Sequence, residues 1–311
     1  MFARDGYVLD EIDKRMVVHA QEKMVIVVEG PPGSGKSVLA AHLWASLAQS
    51  GRVDGNIVFV TTSGCQRKNW ENLLATSLFA RLRQSHPQSI AMLNTSYRLN
   101  EPICDFVAGN FYGGIGNVIS SASSRNRRLK LTCNDNSPID SRILDALGGE
   151  AALVWIRSED NGSQQLNLAE AELVAKLVSQ AMKAGMRTDE MAIVTPYRRQ
   201  AAAIRRLIQY ETGSSIDIPI VDTVERVQGL TVELVVISMC TTDPEYASET
   251  ASFIFSPNRF NVAASRARTK VVIFAAESIL EALPTNYDGL VAMKTFQRAL
   301  NAIDANALSN P

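Results

Sequence analysis

Two kinds of apolar run alternate along the chain. Residues 24–29 (MVIVVE), 57–61 (IVFVT), 152–156 (ALVWI), 191–194, 218–222, 234–239 and 271–275 are short, β-branched and nearly continuous. Runs of this kind predict strands buried on both faces. Between them, apolar positions recur at helical spacing. Over 36–50 they are Leu39, Leu43, Trp44 and Leu47, with Gly51 as the stop. Over 168–183 they are Leu173, Val174, Leu177, Val178 and Ala181, closed by Gly185. Residues 69–83 also read as a helix. Thr195 and Pro196 predict an N-cap and an N1 proline for a helix running to Ile208. Residues 287–303 carry an amphipathic pattern (Leu290, Met293, Phe296, Leu300) that predicts packing on their own domain. Strand–helix alternation of this kind predicts an α/β fold with a parallel sheet covered on both faces. Five of the strands fall in the second half and only two in the first. The expected division is therefore a partial domain over 1–94 and a complete one over 95–311.

Composition narrows the class. The chain has 311 residues, 46% hydrophobic and 20% charged, with a net charge of −1. These values fit a soluble globular protein and exclude a global field that draws it to nucleic acid or membrane. Cys65, Cys104, Cys133 and Cys240 form no CxxC pair. That argues against a zinc site or disulfide framework and for a reducing, cytoplasmic setting. No apolar run approaches the roughly 20 residues that span a bilayer. The first residues, MFARDGYVLDEIDKR, lack an apolar core of the secretory type, so no leader and no membrane partner are expected. Residues 120–130 (SSASSRNRRLK) are polar and basic and read as an exposed loop. The pattern says nothing of oligomeric state.

One motif carries chemistry by itself. Gly30-Pro31-Pro32-Gly33-Ser34-Gly35-Lys36-Ser37 fits G-x-x-x-x-G-K-[ST], with a strand expected before it and a helix after it. Glycines let backbone N–H groups turn around phosphate oxygens, and the helix N-terminus adds positive potential. Lys36 is then the residue for the β- and γ-phosphates, and the Ser37 hydroxyl is the ligand for Mg²⁺. The expected ligands are ATP and Mg²⁺.

Four further stretches follow in a fixed order. Residues 94–114 read NTSYRLNEPICDFVAGNFYGG and residues 192–200 read AIVTPYRRQ. Residues 221–238 read VDTVERVQGLTVELVVIS, and residues 256–269 read SPNRFNVAASRART. After the glycine motif, this order resembles the superfamily 1 helicases, in the branch of the nonsense-mediated-decay helicase and its bacterial relatives. The resemblance covers about residues 24 to 276. It implies a P-loop NTPase of two RecA-like parallel-sheet domains, here with the first truncated, that hold ATP between them. It also implies single-stranded DNA or RNA as partner. Carried over residue by residue, Lys36, Arg98 and Arg266 are the catalytic candidates. The two arginines are family positions that reach the γ-phosphate. A guanidinium is a fixed fork suited to charge developing on a transferring phosphoryl group. Thr195 and Tyr197, with Thr223, Gln228 and Gly229, match segments near nucleic acid. A hydroxyl and a bare backbone suit close approach to sugar and phosphate. Asn261 is expected on the same helix as Arg266, orienting it.

The sequence departs from the family in one respect that bears on turnover. Such helicases carry a strand ending in Asp-Glu, which anchors Mg²⁺ and positions water. Between Thr62 and Asn94 the only acidic residue is Glu71, within a helical stretch. A strand-plus-acid shape recurs at 152–160, ending in Glu159 and Asp160, but it opens the second domain, where the family has no catalytic acid. Thr231 stands where the family has a glutamate two residues after Gln228-Gly229, and Glu233 follows. Neither Gln21 nor Asp13 is a clear reader of the adenine base. The alternatives are a helicase or translocase with impaired hydrolysis, and a truncated, catalytically weak protein that binds ATP and nucleic acid.

Overall fold

A computed structural model describes residues 27–29, 39, 90–114, 116–131, 140–158, 160, 162–214 and 217–309. The glycine motif at 30–37, the strand expected at 57–61 and the helix expected at 69–83 lie outside the described residues. So do Asp13, Gln21, Glu71 and Glu159. The chain divides into two compact units, Met1–Thr95 and Ser96–Pro311.

In the first unit, β1 (Val27–Glu29) pairs in parallel with β2 (Ile90–Met92), Val27 opposite Ile90. The sequence pattern does not announce β2, because three residues are too few for a period. Leu39 is helical and fully buried. At the boundary, β3 (Thr95–Ser96) pairs with β4 (Ile119–Ser120).

The second unit is a five-stranded parallel sheet. Its strands are β5 (Leu153–Ser158), β6 (Met191–Val194), β7 (Ile220–Asp222), β8 (Val232–Ser238) and β9 (Ala267–Ala276). They lie in the order β5-β9-β8-β6-β7, and every pairing is parallel. The helices in chain order are α1 (Glu101–Phe111), α2 (Ser141–Gly148), α3 (Leu168–Lys183), α4 (Arg198–Thr212), α5 (Pro244–Ile254), α6 (Pro257–Ala264) and α7 (Tyr287–Ser309).

Period-two alternation sends successive strand residues to two cores. Val271 and Ile273 of β9, Val235 and Ile237 of β8, and Ala192 and Val194 of β6 face one core, with α1, α5, α6 and α7. Val272 and Phe274, Leu234 and Val236, and Met191 and Ile193 face the other, with α2, α3 and α4. Burial on both faces is why these strands read as continuous apolar runs.

Several expectations need correction. Helix α4 begins at Arg198 with Tyr197 at its N-cap and no side-chain cap. The Thr195 backbone N–H instead donates to the Asp222 carbonyl at 3.2 Å, continuing the β6–β7 pairing, so Thr195 ends a strand and does not cap a helix. The same helix runs past Ile208 to Gly213, which closes it at φ 66°. Helix α6 stops at Ala264, so Arg266 stands beyond it, just before β9. The 120–130 segment is not simply a solvated loop. Ser120 and Ser124 are buried, and both tie it to the turn that carries Arg98. In α7, Met293, Phe296 and Leu300 are buried as the pattern requires, while Leu290 is 49% exposed.

Candidate functional site

Arg98 lies in the turn between β3 and α1, and almost every backbone group of that turn is held. The Leu99 N–H donates to Ser96 Oγ at 3.3 Å, and Ser120 Oγ donates to the Leu99 carbonyl at 2.7 Å. Arg127 Nη1 donates to the Arg98 carbonyl at 3.3 Å, and the Asn100 N–H to the Arg268 carbonyl at 3.1 Å. Asn100 is fully buried. Its Oδ1 caps α1 by accepting from the Ile103 N–H, and its amide donates to the carbonyls of Arg127 (3.1 Å) and Thr269 (3.0 Å). One side chain therefore joins the Arg98 turn to the start of β9.

The structure brings Arg98 and Arg266 together. Arg98 Nη1 donates to the Ser265 carbonyl at 3.0 Å. Arg266 is 6% exposed, with Nε on the Val262 carbonyl at 2.9 Å and Nη1 on the Leu230 carbonyl at 3.5 Å. Burial, then the nearby charges of Arg266 and Arg268, pull the Arg98 pKa down to about 10. Burial also lowers Arg266, opposed by the neighbouring Tyr112. Among the described residues neither arginine pairs with a carboxylate, whereas Arg268 beside them pairs with Glu233 at 3.2 Å. Two partly desolvated cations held by carbonyl dipoles make a spot of positive potential whose natural complement is an anion.

Asn261 does not orient Arg266 as the sequence suggested. Its Nδ2 donates to the Tyr112 hydroxyl at 3.3 Å, and its buried Oδ1 has no hydrogen-bond partner among the described residues. Sequence reasoning passed over Asn100, Tyr112 and Arg268. Each sat inside a quoted motif, in YRLN, FYGG and SRAR.

The candidates for nucleic acid fall at the carboxyl ends of β6 and β7. Thr195 is buried, and among the described residues its hydroxyl has no hydrogen-bond partner. Tyr197 is half-buried against Phe253 (ring centroids 5.6 Å apart) and Tyr246 (6.4 Å). Thr223 opens two consecutive turns: Arg226 N–H donates to the Thr223 carbonyl at 3.0 Å, and Leu230 N–H to that of Val227 at 3.2 Å. Gln228 and Gly229 are exposed at the tip, Gly229 with φ 93°. An apolar cavity of about 40 Å³ gathers Thr195, Pro196, Val224, Glu225, Phe253 and Arg259 around it.

A second polar cluster occupies the same edge of the sheet. Glu170 is fully buried near the N-terminus of α3. It accepts from Ser158 Oγ (2.5 Å), Ser238 Oγ (2.6 Å) and the Cys240 N–H (2.9 Å). Burial drives its pKa up to about 7 against those hydrogen bonds. Asp160, just past β5, is hydrogen-bonded to Ser163. No three His, Cys, Asp or Glu side chains converge as a metal site among the described residues, and no helix there is long and apolar enough to cross a membrane.

A parallel five-stranded sheet with helices on both faces, bearing buried Arg266 beside half-buried Arg98, defines a RecA-like domain of the P-loop NTPase class. Residues 74–278, more than half of the chain, match the family described as "AAA domain"; the chain belongs to this family, in its superfamily 1 helicase type. A second family, described as "Nephrocystin 3, N-terminal", matches residues 9–105. A DNA replication ATP-dependent helicase/nuclease of Arabidopsis thaliana is 26% identical over 223 residues, 69% of this chain and 16% of that protein. An uncharacterized ATP-dependent helicase of Methanocaldococcus jannaschii is 29% identical over 214 residues, 67% of this chain and 30% of that protein. The regulator of nonsense transcripts 1 homolog of Drosophila melanogaster is 27% identical over 213 residues, 67% of this chain and 17% of that protein. The chain thus spans less than a third of the length of each of these relatives.

Proposed function

We propose that the chain is an ATP-dependent nucleic-acid helicase or translocase of superfamily 1, built as a partial first RecA-like domain over 1–94 and a complete second over 95–311. In this reading Gly30 to Ser37 cradle the triphosphate, Lys36 binds its β- and γ-phosphates, and Ser37 is the ligand for Mg²⁺. Arg98 and Arg266 neutralise charge that develops as the γ-phosphoryl group transfers. Thr195, Tyr197, Thr223, Gln228 and Gly229 serve single-stranded DNA or RNA. The observation that carries the reading is the meeting of half-buried Arg98 with buried Arg266, both lacking a carboxylate partner among the described residues and held there by backbone carbonyls. A purely structural arginine at such burial ordinarily has a carboxylate partner.

Mg²⁺ supplies charge neutralisation at the β- and γ-oxygens when bound. The chain's own residues supply orientation: the fork of Arg266 is fixed by the Val262 and Leu230 carbonyls, and that of Arg98 by the Ser265 carbonyl. Donors fixed before the reaction need no reorganisation as charge develops.

The test is phosphate release from ATP with and without single-stranded DNA or RNA. Stimulated turnover near one per second or faster, lost in Lys36→Ala, supports the motor. A specific observation favours a second reading, a weakly hydrolysing binder: the sequence of 62–94 has no Asp-Glu pair and Glu71 as its single acidic residue. Loss of a general base typically lowers rates by about 10² to 10⁴. Tight binding of ATP with turnover slower by that factor selects this second reading.

A further inference from the structure

The turns spanning 223–230, which carry Thr223, Gln228 and Gly229, are tied to the Arg266 segment at both ends. At the far end the Val232 N–H donates to the Arg266 carbonyl at 3.1 Å, and Arg266 Nη1 reaches the Leu230 carbonyl at 3.5 Å. At the near end Glu225 Oε1 lies 2.9 Å from Arg259 Nη2. Arg259 is in the first turn of α6, the helix that ends at Ala264, two residues before Arg266.

Arg259 is held independently of Glu225. Its guanidinium carbon stands 4.0 Å from the centre of the Phe253 ring, and its Nη1 faces the Phe253 carbonyl at 3.5 Å. A guanidinium over an aromatic face keeps its place when its carboxylate partner leaves. The turns share a core with α6 through buried Val227, Phe260 and Ala263, but behind the ion pair that packing is incomplete. The apolar cavity of about 40 Å³, lined by Pro196, Val224, Phe253 and Phe260, separates them there. The ion pair itself bridges that gap.

An ion pair this exposed adds little to folding stability, on the order of 0–1 kcal/mol. Its significance lies in what it connects. We propose that Glu225 and Arg259 form a strut that links the position of the 223–230 turns to that of the arginine pair, so that nucleic-acid binding and nucleotide binding are coupled through it. Both are positioning residues. The inference rests on the nucleotide and nucleic-acid reading given under Proposed function.

The test uses the full chain and fluorescently labelled oligo(dT) and oligo(U). Dissociation constants are measured by anisotropy, with Mg²⁺ present throughout, in the absence and presence of saturating β,γ-imido ATP. The ratio of the two constants is the coupling factor, typically about 5–150-fold where two sites communicate. The ratio is the right readout because a reversed charge near the oligonucleotide shifts affinity in both states alike. Glu225→Arg and Arg259→Glu each bring the ratio close to one, and the double reversal Glu225→Arg/Arg259→Glu restores it. Single reversals that keep the wild-type ratio, or a double reversal that fails to restore it, overturn the strut. Wild-type protein that binds oligonucleotide with a ratio of one also overturns it, while leaving nucleic-acid binding intact. Wild-type protein that binds no oligonucleotide overturns the functional reading itself, and the strut with it.

Discussion

Arg98 Nη1 donates to the carbonyl of Ser265, 3.0 Å away in space and 167 positions away in sequence. Through that bond the β3–α1 turn grips the residue before Arg266, and two cations come to share one partly desolvated spot. Like charges brought together out of water oppose folding, as the depression of the Arg98 pKa to about 10 reflects. Replacing either charge by an apolar side chain of similar size removes its desolvation cost and the repulsion, which offsets the donors lost to the Ser265, Val262 and Leu230 carbonyls. Arg98→Met and Arg266→Met are therefore expected to hold the thermal midpoint within a few degrees of wild type. If the proposed motor reading holds, each is expected to lower ATP turnover by about 10³-fold or more, the scale of an arginine acting on a transferring phosphoryl group. Calorimetry paired with phosphate release checks both halves. A large drop in midpoint with unchanged turnover would assign the pair a structural role instead.

Glu170 predicts a pH dependence of stability with a definite sign. Burial is the main cause of its raised pKa, with Asp160 adding to it and the Ser158, Ser238 and Cys240 hydrogen bonds opposing it. The folded value is about 7, against 4.5 for an ordinary glutamate carboxyl. Between those two pH values the native state binds more protons than the unfolded chain, so stability falls as pH rises through the window. Below it both states are protonated; above it the penalty is complete, at most about 3 kcal/mol. Glu170→Gln keeps the shape and removes the titration. Urea midpoints at pH 5 and pH 8 should show the variant gaining on wild type as pH rises. Parallel behaviour of the two proteins at both pH values would rule the carboxyl out as the source.

Asn100 is expected to matter through its amide donors as well as through its cap. Asn100→Ala removes the cap, worth about 1 kcal/mol. It also takes a donor from the buried Thr269 carbonyl, at about 1–3 kcal/mol for a group left unsatisfied, while the half-buried Arg127 carbonyl keeps Arg128 Nη1. The expected loss is about 2–4 kcal/mol in urea unfolding. Asn100→Asp separates the two roles. It keeps the acceptor for the Ile103 N–H but turns a carboxylate toward two carbonyl oxygens. A cap-only role predicts that Asp restores stability; the geometry predicts that it does not.

How much of this was legible in the chain follows from the range of the interactions. Strand β6 and helix α3 have the ends the pattern predicts, because buried strands and amphipathic helices write their periods locally. Helix α5 escaped notice, since its buried face is Ala247, Ala251 and Ile254, too small to stand out. Strands β2, β3 and β4 are two or three residues long and leave no period. Thr195 misled because an N-cap and a strand end use the same residue types, and the β6–β7 pairing decided between them. The convergence of Arg98 with Arg266 could be anticipated only by family resemblance. No local pattern encodes a contact between the ends of two elements so far apart. The hold of Asn100 on Thr269 and of Arg259 on Glu225 was invisible for the same reason.

Gly229 offers the clearest separation of backbone need from ligand approach. Its φ is 93°, a region that residues with a Cβ rarely adopt, and a Cβ built there meets nothing within 4 Å. Gly229→Ala therefore incurs backbone strain of about 1–2 kcal/mol and no clash within the described residues. Gly213 is the matched control. It too has positive φ, 66°, with open space around its Cβ position, but it closes α4 away from the candidate nucleic-acid turns. Both substitutions are expected to lower the urea midpoint by a similar small amount. Under the proposed nucleic-acid role, only Gly229→Ala is expected to weaken oligonucleotide binding, by about fivefold or more, because the added methyl takes space that reading gives to a sugar–phosphate backbone. Anisotropy titrations on the two variants decide it. Equal binding by both would reduce Gly229 to a turn residue and remove the nucleic-acid role from the tip of the 223–230 turns.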